Sequence, residues 1–124
     1  MNQNPTPATI IIFGASGDLT RRKLGPALHS LACEGLLHAN TRVLGVARSP
    51  LSDADFRERL RAGVDDYARL KPEVCHLWEG AAEHYTYLAG DYDDPDTYRR
   101  LAERLAHLDA TAGTAHNRLF YLAT

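Results

Sequence analysis

Gly14-Ala15-Ser16-Gly17-Asp18-Leu19 is the stretch of this chain best suited to hold a phosphate. It follows a short apolar run and opens a helical pattern, the context in which a glycine loop cradles an anion. Gly14 lets the chain turn tightly as it leaves a strand. Gly17 puts no side chain where a pyrophosphate must approach backbone amides, and Ser16 adds a hydroxyl donor. The helix opening supplies partial positive charge and unpaired N–H groups, and Asp18 is placed to cap it. The third glycine of the usual dinucleotide fingerprint is missing, so this is a variant loop. Arg21-Arg22-Lys23 comes one turn later. It reads either as a solvated helix face or as a run from which one cation reaches phosphates or substrate.

A second group of residues bears on which dinucleotide is bound. Ala47-Arg48-Ser49 ends the second apolar run and contains no acid. An acid there would pair with the ribose hydroxyls of NAD and repel the 2′-phosphate of NADP. Arg48 instead presents a planar donor fork that suits a phosphate, which predicts NADP; its alternative is a loop arginine with no ligand. Asp91 and Tyr92 follow the third run, and Tyr121 lies in the fourth. These are cofactor neighbours or, for the tyrosines, core packing. Asp91, Asp93, Asp94 and Asp96 lack the glycine and terminal glutamate of a calcium loop, and read as helix capping. Cys33 and Cys75 have neither metal-knuckle nor redox-pair spacing and read as free thiols. The six histidines do not cluster, so no metal is expected.

The elements that must position these groups alternate regularly. Thr9–Phe13 is β-branched and continuously apolar, which suits a strand covered on both faces. A helical stretch from about Asp18 to Leu37 follows, with a break expected at Pro26 and a stop at Gly35. Strand two is Arg42–Ala47. Ser52-Asp53 starts a helix with Phe56, Leu60, Val64 and Tyr67 on one face. Residues 71–82 predict another short helix, and His84–Ala89 a third strand. Asp94 and Pro95 open a helix whose stripe is Tyr98, Leu101, Leu105 and Leu108. Ala110–His116 is expected as loop, and Arg118–Ala123 as strand four. The pattern predicts an α/β, Rossmann-like parallel sheet in the order 3-2-1-4, with helices on both faces. Residues 1–8 are expected to be a flexible N-terminus, and 9–124 a partial NADP-binding domain.

Composition narrows the classes further. With 124 residues, 44% hydrophobic and 24% charged, the chain has the size and balance of one globular domain. A net charge of −2 supplies no basic field for nucleic acid. The longest apolar run is far too short to cross a bilayer, and a cytoplasmic location is expected.

The block from Ile12 to Leu28, Ile-Phe-Gly-Ala-Ser-Gly-Asp-Leu-Thr-Arg-Arg-Lys-Leu-Gly-Pro-Ala-Leu, closely resembles the coenzyme fingerprint of glucose-6-phosphate dehydrogenases. Gly45-Val46-Ala47-Arg48-Ser49 resembles that family's second-strand motif, and Asn117-Arg118-Leu119-Phe120-Tyr121-Leu122-Ala123 its fourth-strand motif. The resemblance implies that Gly14, Ala15, Ser16, Gly17, Asp18, Leu19, Thr20 and Arg21 cradle the NADP pyrophosphate. It implies that Arg48 holds the 2′-phosphate, that Tyr121 lies near the cofactor, and that Lys23 sits between cofactor and substrate. It implies the coenzyme-binding part of an oxidoreductase of the pentose phosphate pathway, which oxidises glucose 6-phosphate to 6-phosphogluconolactone. The family's catalytic histidine block, His-Tyr-Leu-Gly-Lys-Glu, does not occur here. No catalytic residue is therefore assigned, glucose 6-phosphate is expected to bind only in the full-length enzyme, and the isolated chain is expected to be an inactive fragment truncated after strand four. An uncovered strand four predicts self-association or marginal stability. The competing readings are a non-catalytic NADP sensor of the atypical short-chain reductase type and a plain interaction module with a degenerate loop.

Overall fold

The computed structural model describes residues 7–68, 82–114 and 117–123. The helix expected over 71–82 lies almost wholly outside them, as do residues 1–6 of the expected flexible N-terminus. Pro7 and Ala8 are tied to the sheet: the Asn117 side-chain amide donates to the Pro7 carbonyl and the Arg42 N–H to that of Ala8.

Four parallel strands form the sheet: β1 (Thr9–Phe13), β2 (Arg42–Ala47), β3 (Tyr85–Ala89) and β4 (Arg118–Leu122). Their order is β3-β2-β1-β4, as the alternation of elements predicts. Among the described residues three α-helices accompany them: α1 (Gly25–Cys33), α2 (Asp53–Tyr67) and α3 (Pro95–Ala112). The pleat explains why the β1 run is apolar without a break. Ile10 and Ile12 pack with Leu28, Phe56, Leu60 and Val64 on the α1/α2 side. Ile11 packs with Leu44, Val46, Leu101 and Leu105 on the α3 side. Successive side chains leave opposite faces, and helices cover both.

The helix ends show how local chemistry sets boundaries. Ser52 and Asp55 form a reciprocal capping box at the start of α2. Asp94 accepts from the Asp96 N–H at 2.9 Å, with Pro95 in the first turn of α3. Gly35 ends the first helical stretch with φ of 75°, and the Leu36 N–H reaches back to the Leu31 carbonyl.

Several expectations need correcting. The expected irregularity at Pro26 takes the form of a π-helical turn, Thr20–Leu24, in which the Gly25 N–H bonds the Thr20 carbonyl, and Pro26 lies in the first turn of α1 as expected. Pro26 has no N–H to continue the ordinary ladder, and a widened turn accommodates its ring. His84 belongs to a short 3-10 turn and the strand begins at Tyr85. Helix α3 runs to Ala112, because the left-handed residue that stops it is Gly113. Tyr67 and Tyr98 are both 44% exposed rather than buried in their helix stripes. Cys33 is disulfide-bonded rather than a free thiol, with its partner outside the described residues. Sequence spacing says nothing about whether two Cα atoms approach closely enough to bridge. Every residue of β4 is exposed, Phe120 by 51% and Leu122 by 71%. None of the described helices is long and apolar enough to cross a membrane.

Candidate functional site

The glycine corner sits at the carboxyl end of β1, beside the switch in strand order between β1 and β4. Parallel sheets receive ligands at that edge. Gly14 adopts φ of 83°, a conformation that side chains strain against, so the tight turn requires glycine. The Gly14 and Ala15 amides both donate to the Val46 carbonyl, at 2.9 and 3.3 Å, which ties the corner to β2. The Gly17 N–H donates to the Gly14 carbonyl at 3.0 Å. The Ser16, Asp18 and Leu19 amides make no backbone hydrogen bond of this kind to a described residue. Those are the unpaired donors that a helix opening offers to an anion. Gly17 is exposed among them. These features fit a dinucleotide's pyrophosphate: open amides, no side chain at Gly17, and an Asp18 carboxylate drawn to Arg22.

Asp18 does not cap the helix. It already lies in the first helical turn, no side chain caps that opening, and its carboxylate pairs with Arg22 at 3.2 Å. Thr20 is buried and its hydroxyl turns back to the Gly14 carbonyl. Arg21 reaches Asp66 at 3.2 Å, and both Arg21 and Arg22 lie 5.5 Å from the Tyr67 ring centroid. Lys23 is exposed in a separate cleft of about 530 Å³ on the outer side of α1, shared with Arg22, Ser30, Glu34 and Tyr67. The corner's own cleft, about 160 Å³, is lined by Ala15 to Asp18 with Arg21, Arg59 and Leu60. Lys23 and the corner are therefore not brought into one cleft by the described residues.

Arg48 follows the end of β2, two residues beyond the carbonyl that anchors the corner. It is exposed and makes no hydrogen bond or ion pair among the described residues. Asp91 is exposed, and its carbonyl accepts the Asp94 N–H in the turn that leads into α3. Tyr92 is closer to the corner than its sequence position suggests. Its hydroxyl accepts the Gly14 N–H at 2.6 Å and donates to the Val46 carbonyl at 3.2 Å. Its ring meets Phe13 edge-on, with centroids 5.9 Å apart. Tyr92, Phe13, Tyr98 and Leu122 line a cleft of about 360 Å³ at the carboxyl ends of β1 and β4, against the start of α3. Tyr121 stands opposite Ile12 on the neighbouring strand, 42% exposed, and lines neither this cleft nor that of the corner.

Two groups escaped the sequence reading. The Arg59 guanidinium, on α2, donates to the Ser16 carbonyl at 3.2 Å. The Tyr87 hydroxyl donates to the Ser49 carbonyl at 2.7 Å, and its phenol also faces the Ser16 hydroxyl. Burial raises the Tyr87 pKa, with Ser16 and Arg59 acting in the opposite direction. Neither residue lies in a motif. The only available signal was that Arg59 adjoins Leu60 on the apolar stripe of α2.

The chain matches the family described as glucose-6-phosphate dehydrogenase, NAD binding domain, over residues 11–124. It is 38% identical over 118 residues to a glucose-6-phosphate 1-dehydrogenase of Chlamydia muridarum, covering 95% of this chain and 23% of the relative. It is 43% identical over 115 residues to that of Aggregatibacter actinomycetemcomitans, covering 93% and 23%. A solved glucose-6-phosphate dehydrogenase in complex with its substrate glucose-6-phosphate superposes with a TM-score of 0.85 at 34% identity, over 100% of this chain and 26% of that one. The Mycobacterium avium structure, at 21% identity and TM-score 0.72, shares the fold. This chain thus spans about a quarter of the length of the relatives it matches. Each of them is a dehydrogenase, which favours that sequence reading over the sensor.

Proposed function

This chain belongs to the glucose-6-phosphate dehydrogenase family, through its nicotinamide-dinucleotide-binding domain, and from that premise we propose that it is the NADP-binding part of an enzyme oxidising glucose 6-phosphate. One observation carries the cofactor assignment: open amides at a Gly14 corner of φ 83°, next to an Arg48 with no partner among the described residues, where an acid would select NAD. In this reading the Ser16, Asp18 and Leu19 amides hold the pyrophosphate, with Gly14, Ala15 and Gly17 shaping the turn. Arg48 holds the 2′-phosphate, and Tyr92 braces the corner from the side of β3. Thr20 and Arg21 support the same turn, from the core side and from α2. Asp91 and Tyr121 flank the bound molecule along the carboxyl edge, and Lys23 awaits substrate in the longer polypeptide. When bound, the nicotinamide ring supplies the hydride acceptor. No residue here is assigned to take the sugar's proton, so the chain alone is proposed to bind cofactor without turnover.

Titration with NADP⁺ and NAD⁺ tests the assignment. A guanidinium–phosphate pair contributes about 1.5–3 kcal/mol, so Arg48→Ala should weaken NADP⁺ by roughly ten- to a hundredfold and leave NAD⁺ nearly unchanged. Equal wild-type affinity for the two would end the NADP reading. The exposed apolar strand β4 also supports association of the isolated chain with a second copy. Sedimentation should then show mass rising with concentration, and a monomer at every concentration would refute it.

A further inference from the structure

We propose that Arg59 is a second specificity-determining cation of the nucleotide site, acting with Arg48 on the 2′-phosphate. The proposal rests on the NADP reading above and adds a residue that no motif marks. Arg59 walls the corner cleft and donates to the Ser16 carbonyl at 3.2 Å. That bond uses one of five guanidinium N–H donors. The remaining donors have no carboxylate partner among the described residues.

The neighbouring cations differ in this respect. Arg21 pairs with Asp66 and Arg22 with Asp18, while Arg57, which also bonds only carbonyls, is held by those of Tyr85 and Glu83 at the amino end of β3, away from the corner. Two acids of α2 are engaged: Asp53 accepts the Tyr87 N–H at 2.8 Å, and Asp55 belongs to the capping box; exposed Glu58, next to Arg59 in sequence, makes no ion pair with it. Among the described residues at the carboxyl edge, Arg59 and Arg48 have no carboxylate partner.

A short chain of contacts places the two arginines on one stretch of surface. Arg59 holds the Ser16 carbonyl, the Ser16 hydroxyl faces Tyr87, and Tyr87 donates to the Ser49 carbonyl, one residue beyond Arg48. The rotation of α2 is set by Phe56 and Leu60, both buried in the core, which directs Arg59 toward the corner. A ligand with one phosphate group at the open amides and a second between Arg48 and Arg59 satisfies the whole arrangement. NAD lacks that second group.

The probes are 2′,5′-ADP and 5′-AMP, which differ by the phosphate in question, titrated into wild type, Arg59→Gln, Arg59→Lys and Arg48→Ala. Arg59 is exposed, so its variants should fold as wild type. Arg59→Gln should weaken 2′,5′-ADP about tenfold, as loss of one charge-assisted contact does, with 5′-AMP held within about twofold, and Arg59→Lys should recover part of the loss. Equal weakening of both probes would mean that Arg59 only braces Ser16, and would overturn the proposal. So would no weakening of either probe alongside a clear loss in Arg48→Ala. If wild type fails to distinguish the probes, the NADP reading itself falls, a result separable from failure at Arg59 alone.

Discussion

Adding one methyl group at Gly45 should damage both the fold and the phosphate corner. Gly45 lies mid-strand in β2, opposite Ile12 on β1 and Tyr87 on β3. A Cβ there would stand 2.7 Å from the Ala15 Cβ and 2.7 Å from Phe56 Cζ. Favourable carbon contacts begin at about 3.5 Å, so each neighbour must yield by about 0.8 Å. Neither can do so easily. Phe56 is fully buried with its ring 5.3 Å from that of Tyr87. The Ala15 amide is bonded to the carbonyl of Val46. Overpacking of this kind costs about 1–3 kcal/mol, and the lower chain entropy of alanine returns about 0.5–1 kcal/mol. We expect Gly45→Ala to lower unfolding free energy by about 1–2 kcal/mol on this reckoning, seen as an earlier urea midpoint with unchanged slope. Because Ala15 is part of the corner, dinucleotide affinity should fall as well. Phe56→Leu should cost less in the Gly45→Ala background than in wild type, since it removes one of the two clashes. Unchanged stability and affinity in Gly45→Ala, or strict additivity in the double variant, would refute the close-packing argument.

Tyr92→Phe should weaken dinucleotide binding while costing stability only about 0.5–1 kcal/mol, because the Gly14 N–H keeps its bond to the Val46 carbonyl. Paired urea and dinucleotide titrations check this, and a loss well above that range with intact binding would contradict it. A pH effect is expected at His84. Burial, then the charge of Arg42, hold its pKa below 6.5, against the opposing effects of Glu83 and the Ala39 backbone. The folded chain therefore binds fewer protons there than the unfolded one. Its stabilising contribution is complete above pH 6.5 and declines as pH falls toward the folded value. Stability curves of wild type and His84→Gln should diverge in that window, and parallel curves would show that His84 titrates normally.

Much of the architecture was legible because it rests on local rules. The unbroken apolar run at Thr9–Phe13 announced a strand covered on both sides, and the faces of Ile11 and Ile12 explain why. Ser52 and Asp94 marked the openings of α2 and α3 through caps that span only two or three residues. Boundaries set by less local effects were harder to read. The π-helical turn before Pro26 and the extension of α3 to Gly113 depend on which backbone donors find partners. Tyr67 and Tyr98 have the right spacing for the core, but the neighbouring elements leave them at the surface.

The site divides along the same line. Gly14, Gly17 and Arg48 stand out in the chain because a tight turn, a position without a side chain and a planar cation are properties of single residues placed after a strand. Asp18 as a cap was a local inference that failed, since Arg22 one turn on attracts its carboxylate. Arg59 meets Ser16 across 43 residues of sequence, and Tyr92 meets Gly14 across 78. Such contacts arise only when the crossover helices bring distant segments to one edge of the sheet, and periodicity carries no record of them. Sequence alone therefore determined the fold class and the glycine corner, through backbone propensities that act over a few residues. Packing across the sheet decided which additional side chains stand against that corner.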